Sequence, residues 1–180
     1  RKHGVHTKGI SRTGRFPTGY VNAGIDENGV ATYSFPADVA WDHLEVNKFA
    51  QEAASRLDCV CFGTLAQRGD STRETIHSYL SCCPADALRI YDINLRQDFY
   101  SRDIIEQSLE LCNILKLNDD ELLLLSQMFD LTGEDSDKMS ALLHRFELKL
   151  TILTRGNAGS CLLTSNKRSE HPGITTEVVD

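Results

Sequence analysis

The chain has 180 residues, 41% of them hydrophobic and 25% charged, the ordinary composition of one globular domain. A net charge of −7 argues against a nucleic-acid binder, which carries a basic face. No apolar stretch approaches the roughly 20 residues needed to span a membrane, and no segment reads as a signal peptide.

The charge is uneven. Arg1, Lys2, Lys8, Arg12 and Arg15 give residues 1–25 a charge of +5 with no acid, leaving −12 for the rest of a chain whose net charge is −7. That stretch is either a solvated loop or an anion-attracting flap. Residues 1–17 read as loop, punctuated by Gly4, Gly9, Gly14 and Pro17. Residues 18–25 and 30–35 are rich in strand formers and are joined by Asp26-Glu27-Asn28-Gly29. The Asn-Gly step predicts an antiparallel hairpin. Tyr20, Asn22 and Gly24 alternate with Val21, Ala23 and Ile25, which predicts one wet and one packed face. Pro36 ends the hairpin, Trp41-Asp42-His43-Leu44 connects, and 47–57 is a predicted helix.

Four apolar runs of strand length then open onto polar or glycine-bearing tips. Cys59-Val60-Cys61-Phe62 leads to Gly63-Thr64, and Leu88-Arg89-Ile90-Tyr91 to Asp92-Ile93-Asn94-Leu95-Arg96. Ile114-Leu115-Lys116-Leu117 meets Asn118, and Leu150-Thr151-Ile152-Leu153 meets Thr154-Arg155-Gly156. Helices are predicted over 71–83, 101–112, 118–129 and 136–146, with further strands over 160–165 and 177–179. This rhythm predicts an α/β fold, a parallel sheet with helices on both faces. Ligands of such sheets sit beyond the carboxyl ends of the strands. The four tips should therefore form one site, with the hairpin as a flap over it.

The ends bear on completeness. The chain opens at Arg1 without a methionine and closes at Asp180, just after a predicted strand, so the sheet is expected to be incomplete at both ends and the chain to be an excerpt. Six cysteines (Cys59, Cys61, Cys82, Cys83, Cys112, Cys161) show no C-x2-C pair, and the expectation is buried, reduced thiols in a cytosolic protein.

Each tip admits two readings. In an extended Asp92-x-Asn94-x-Arg96, a carboxylate, an amide and a guanidinium fall in one row, suited to a ligand with hydroxyls and negative charge. Alternatively, Asp92 and Arg96 fix the loop between them. Asn118 with Glu121 three residues on is a helix capping box. The acids after Lys116 could equally organise a hydrated divalent metal. Gly156 and Gly159 in Thr154-x-Gly156-x-x-Gly159-Ser160 suit either a bare hairpin turn or one that receives phosphate.

In order, these motifs resemble one family. Pro17-Thr18-Gly19 and its hairpin, Phe62-Gly63-Thr64-Leu65, Asp92 to Arg96, Lys116 to Glu121, Leu153-Thr154-Arg155-Gly156-Asn157-Ala158-Gly159-Ser160 and Val178-Val179-Asp180 are similar to the middle of a ribokinase-like sugar kinase of the pfkB family, bacterial fructokinases above all. The resemblance implies a three-layer α/β domain whose central part spans residues 41–180, with residues 1–40 forming a lid hairpin and its connections. It implies ATP-dependent phosphorylation of a sugar hydroxyl, with magnesium and a monovalent cation such as potassium. Asn94 and Arg96 match positions facing the sugar and the transferred phosphate. Asn118 and Glu121 match an N-x-x-E element that places magnesium, through water, and the nucleotide phosphates. Thr154, Gly156 and Gly159 match the nucleotide turn, and Asp180 matches a residue that can bind the monovalent cation. The lid often joins two subunits in this family, which suggests a homodimer.

The family's general base should follow Asp180, so these 180 residues alone are expected to be inactive. Fructose is the first choice of sugar, because residues 62–68 and 94–100 are similar to fructokinases. Arg96 could equally meet the carboxylate of 2-keto-3-deoxygluconate. Two other classes stay open: a different α/β phosphotransferase, and a non-catalytic relative that binds sugar or nucleotide as a signal.

Overall fold

The computed structural model describes residues 3, 4, 6–25 and 31–174. The chain divides into two compact units: Arg1–Leu57 with Leu65–Ala85, and Asp58–Thr64 with Asp86–Asp180.

The first unit carries the hairpin. β1 (Asn22–Ile25) pairs antiparallel with β2 (Ala31–Ser34), Asn22 opposite Ser34 and Ile25 opposite Ala31. The expected turn at Asp26-Glu27-Asn28-Gly29 lies outside the described residues. The expected packed face is not found: Val21, Ile25 and Tyr33 are exposed along with Asn22. Alternation in sequence requires a second layer before it becomes a buried face, and this ribbon has only two strands. A 3-10 turn, Ala40–His43, occupies the predicted connector, and α1 (Lys48–Ala54) follows, capped by Asn47, whose side chain accepts from the Ala50 N–H at 3.2 Å. α2 (Asp70–Cys82) completes the unit and packs on α1.

The second unit is built on a six-stranded sheet in the order β3 (Cys59–Gly63), β4 (Leu88–Asp92), β5 (Ile114–Asn118), β6 (Leu150–Thr154), β7 (Ser160–Leu163), β8 (Arg168–His171). The first four strands run parallel and the last two return antiparallel. β8 was not expected; its Arg-Ser-Glu-His composition has no apolar alternation, and every residue is exposed. It is held by pairing with β7 rather than by burial. The strand expected over 177–179 lies outside the described residues.

Three helices pack on the sheet: α3 (Arg102–Leu111), α4 (Asp119–Phe129) and α5 (Asp135–Arg145). Their buried side chains recur at helical spacing: Ile105, Ser108 and Leu109; Leu122, Leu125 and Phe129; Met139, Leu142 and Leu143. They meet Tyr91, Leu115, Leu117 and Leu153, all fully buried. Each such leucine contributes about 1.5–3 kcal/mol, so this layer holds the helices against the sheet.

The cysteines divide by burial, with Cys82 and Cys83 intermediate. Cys112 and Cys161 are buried as expected, whereas Cys59 and Cys61 are exposed. β3 is an edge strand of this sheet, and Cys59 and Cys61 project opposite to buried Phe62.

Candidate functional site

The carboxyl ends of β3, β4, β5 and β6 lie side by side. Gly63 stands opposite Asp92, Asp92 opposite Lys116, and Asn118 opposite Thr154. The four tips are therefore consecutive along one sheet edge, where the order of strand, polar tip and helix predicts them. Lateral bonds tie them together. The Ile93 N–H donates to the Lys116 carbonyl at 3.1 Å, and the Thr154 hydroxyl donates to the Leu117 carbonyl at 3.3 Å.

The β4 tip is not the extended row expected from spacing. Asn94 has φ +39° and Gln97 has φ +47°, so the backbone leaves strand geometry at once. Neither Asp92 nor Arg96 fixes this loop to the other. Asp92 instead pairs with Lys116, whose Nζ lies 2.8 and 3.0 Å from its two carboxylate oxygens. Arg96 is exposed, with Nη1 donating to the Leu95 carbonyl at 2.9 Å, and Asn94 is exposed beside it. The signal for Asp92's partner was one lysine inside the apolar run Ile114-Leu115-Lys116-Leu117. Only the parallel register reveals which carboxylate it meets.

Beneath the tip sits a buried hydroxyl pair. Thr64 Oγ1 lies 2.6 Å from the Tyr91 hydroxyl and 2.6 Å from the Ile93 carbonyl. A carbonyl only accepts, so the Thr64 proton goes to Ile93 and the Tyr91 hydroxyl donates to Thr64. Burial is the main reason the Tyr91 phenol is pushed up to about 12. The same sheet end raises the Cys61 thiol, through desolvation first and the Asp92 charge second.

At the β5 tip the capping reading is realised in full. Asn118 Oδ1 accepts from the Glu121 N–H at 2.8 Å, and Glu121 Oε2 accepts from the Asn118 N–H at 2.8 Å. Glu121 is also buried, and its other oxygen, Oε1, accepts from the Leu95 N–H at 2.8 Å. Asp119 and Asp120 are exposed. Among the described residues, no group of three or more His, Cys, Asp or Glu is placed to hold a metal directly.

The turn after β6 is a short 3-10 segment, Gly156–Ala158. Three of its N–H groups close the turn itself: Arg155 onto the Gly159 carbonyl, Ala158 onto Arg155, and Gly159 onto Gly156. Gly156 has φ +53° and open space where a side chain would project, while Gly159 has φ +86° and is packed against the backbone of His171 and Gly173. Asp180 lies outside the described residues. The structure thus brings Asn94, Arg96, Asn118, Glu121, Thr154 and Gly156 to one edge.

A family model for pfkB family carbohydrate kinases matches residues 1–180. The chain belongs to the pfkB family. The uncharacterized sugar kinase PH1459 of Pyrococcus horikoshii is 25% identical over 186 residues, covering 99% of this chain and 55% of that protein. A fructokinase of Salmonella typhimurium is 25% identical over 149 residues, covering 79% of this chain and 47% of its own length. The chain therefore spans about half the length of the curated relatives it matches. Among solved structures, a fructokinase of Xylella fastidiosa with bound ATP superposes with a TM-score of 0.83 at 19% identity, over 99% of this chain and 56% of that one. The fold is the ribokinase-like α/β fold of these relatives.

Proposed function

We propose that the chain is part of an ATP-dependent sugar kinase that moves the γ-phosphate of ATP to a sugar hydroxyl, with fructose as acceptor. The observation that carries this reading is the bonded continuity of three tips along one sheet edge, from Leu95 through Glu121 and Asn118 to Thr154.

 The links in that chain of contacts are the Leu95 N–H on Glu121 Oε1, the Asn118 N–H on Glu121 Oε2, and the Thr154 hydroxyl on the Leu117 carbonyl. Family membership supports the reading.

In it, Asn94 and Arg96 bind the sugar and steady the phosphate in transfer. The Arg96 guanidinium supplies forked donors to phosphate oxygens. Thr154, Gly156 and Gly159 receive the nucleotide, the open side of Gly156 allowing close approach. Both Glu121 oxygens already accept a backbone N–H, and each keeps one further acceptor site. That donor set fits a hydrated magnesium ion held through its waters rather than by direct coordination. When bound, the ion would offset phosphate charge. No residue of this chain is assigned as the general base. Asp180 is proposed to hold a monovalent cation, and the lid hairpin to form a homodimer contact.

An ATP-consumption assay on the full-length protein, across fructose, other hexoses, ribose, nucleosides and keto-sugar acids, tests the proposal. Fructose should turn over fastest. Rapid turnover of a nucleoside or of 2-keto-3-deoxygluconate with none on fructose would replace the substrate; binding without turnover would favour a sensor.

A further inference from the structure

We propose that Glu121 is a positioning residue for the sugar-side tip, so that its carboxylate governs sugar binding even when no nucleotide or metal is present. This rests on the reading of Asn94 and Arg96 as sugar-facing. A capping box accounts for only one of the two Glu121 oxygens. The other leaves its own helix and takes the N–H of Leu95, 26 residues away in the chain, at 2.8 Å.

That bond falls where the backbone most needs it. Asn94 and Gln97 are two of the five described non-glycine residues with positive φ, and they bracket Leu95 and Arg96. Left-handed backbone persists only where the surroundings over-determine it. The residue before Asn94 is fixed twice: the Ile93 N–H bonds the Lys116 carbonyl, and its carbonyl accepts from Thr64. The residue after Asn94 is fixed by Glu121. Asn94 is therefore held from both sides, and Glu121 supplies the only link of this set that comes from a side chain at the nucleotide end. A carboxylate accepting backbone N–H groups inside the protein makes a stronger, shorter bond than a neutral group. Replacing it with glutamine keeps the size but leaves an amide nitrogen, which cannot accept, opposite one of the two N–H donors.

The test uses the full-length protein, with fructose titrated by calorimetry in the absence of ATP and of divalent metal. Glu121→Gln should weaken fructose binding about tenfold, the scale of one lost buried hydrogen bond. Hydrogen exchange at the amides of residues 94–97 should accelerate in the same variant while that of β4 stays unchanged. Leu122→Val, which trims packing in the same helix without touching the clamp, should keep fructose affinity within about twofold and leave tip exchange slow. Unchanged fructose affinity in Glu121→Gln, with the loss confined to the KM for ATP or the magnesium requirement, would overturn the inference while leaving the kinase reading intact. Unchanged exchange at residues 94–97 would overturn it too. A wild-type protein that bound no sugar at all would instead sink the underlying reading, and the inference with it.

Discussion

Arg68 grips Asp42 with two prongs, Nε on Oδ1 at 2.7 Å and Nη2 on Oδ2 at 2.8 Å, and both side chains are at least nine-tenths buried. The same guanidinium donates to the carbonyls of Phe35 at 3.1 Å and Pro36 at 2.5 Å, and lies 5.1 Å from the Trp41 ring centre. One side chain thus joins the end of β2 to the Ala40–His43 turn. A planar fork is required to meet four oxygens at once.

Removing one partner of a buried pair strands the other charge. Arg68→Ala should cost about 3–5 kcal/mol in urea unfolding, and Arg68→Lys should recover only a minor part of it. The pH dependence follows from Asp42. Burial alone would push its carboxyl up, but the Arg68 hydrogen bonds, the Val39 N–H and the charges of Arg68 and His43 together hold it below its ordinary value of 3.8. A lowered carboxyl contributes stability that is present above the ordinary value and lost as pH falls through the folded one. Wild-type stability should therefore decline below about pH 4, and Asp42→Asn, though less stable at neutral pH, should decline less steeply there. Equal acid slopes would show that Asp42 carries none of that dependence.

Tyr91 works in the opposite direction. Its phenol is raised from 10.0 to about 12 by burial, so its contribution is complete below pH 10 and is lost as pH rises toward 12. That rise corresponds to about 2–3 kcal/mol. Tyr91→Phe should lower neutral-pH stability by about 1–2 kcal/mol, because Thr64 loses its donor. It should also flatten the alkaline loss. Denaturant titrations at pH 8 and pH 11 on both proteins measure the two effects separately.

The sequence displayed the elements that bury apolar side chains at a clear period, and, from strand formers on either side of an Asn-Gly step, the exposed β1–β2 hairpin. α3, α4 and α5 lie within a residue or so of their predicted bounds because Ile105, Leu109, Leu122, Leu125, Leu142 and their neighbours repeat at helical spacing. The capping box of Asn118 and Glu121 was legible for the same reason, being local. The long-range half of Glu121's role was not, since Leu95 is met only after β4 and β5 pair. Asp92-x-Asn94-x-Arg96 misled because the row assumed extended backbone, and the positive φ of Asn94 breaks it. β8 was invisible because no apolar alternation marks it: pairing with β7 and the Glu170 ion pair with Arg155 hold it, not burial.

The two glycines of the β6–β7 turn should separate folding from ligand contact. Gly159 combines φ +86° with ψ −138°, a region that only glycine occupies readily, and an added methyl would collide with the His171 carbonyl and the Gly173 nitrogen. Those are backbone atoms and cannot swing aside, so Gly159→Ala should cost about 3 kcal/mol or more and loosen β8 from β7. Gly156 has φ +53° with nothing within 4 Å of the new methyl, so Gly156→Ala should cost only about 1–2 kcal/mol. Its methyl projects into the space proposed for the nucleotide. In the full-length protein, Gly156→Ala should therefore raise the KM for ATP several-fold at that modest loss of stability, whereas Gly159→Ala should lose stability and activity together. An unchanged ATP KM in Gly156→Ala would place the nucleotide elsewhere, because a methyl on the open side of a phosphate-receiving turn must obstruct its approach.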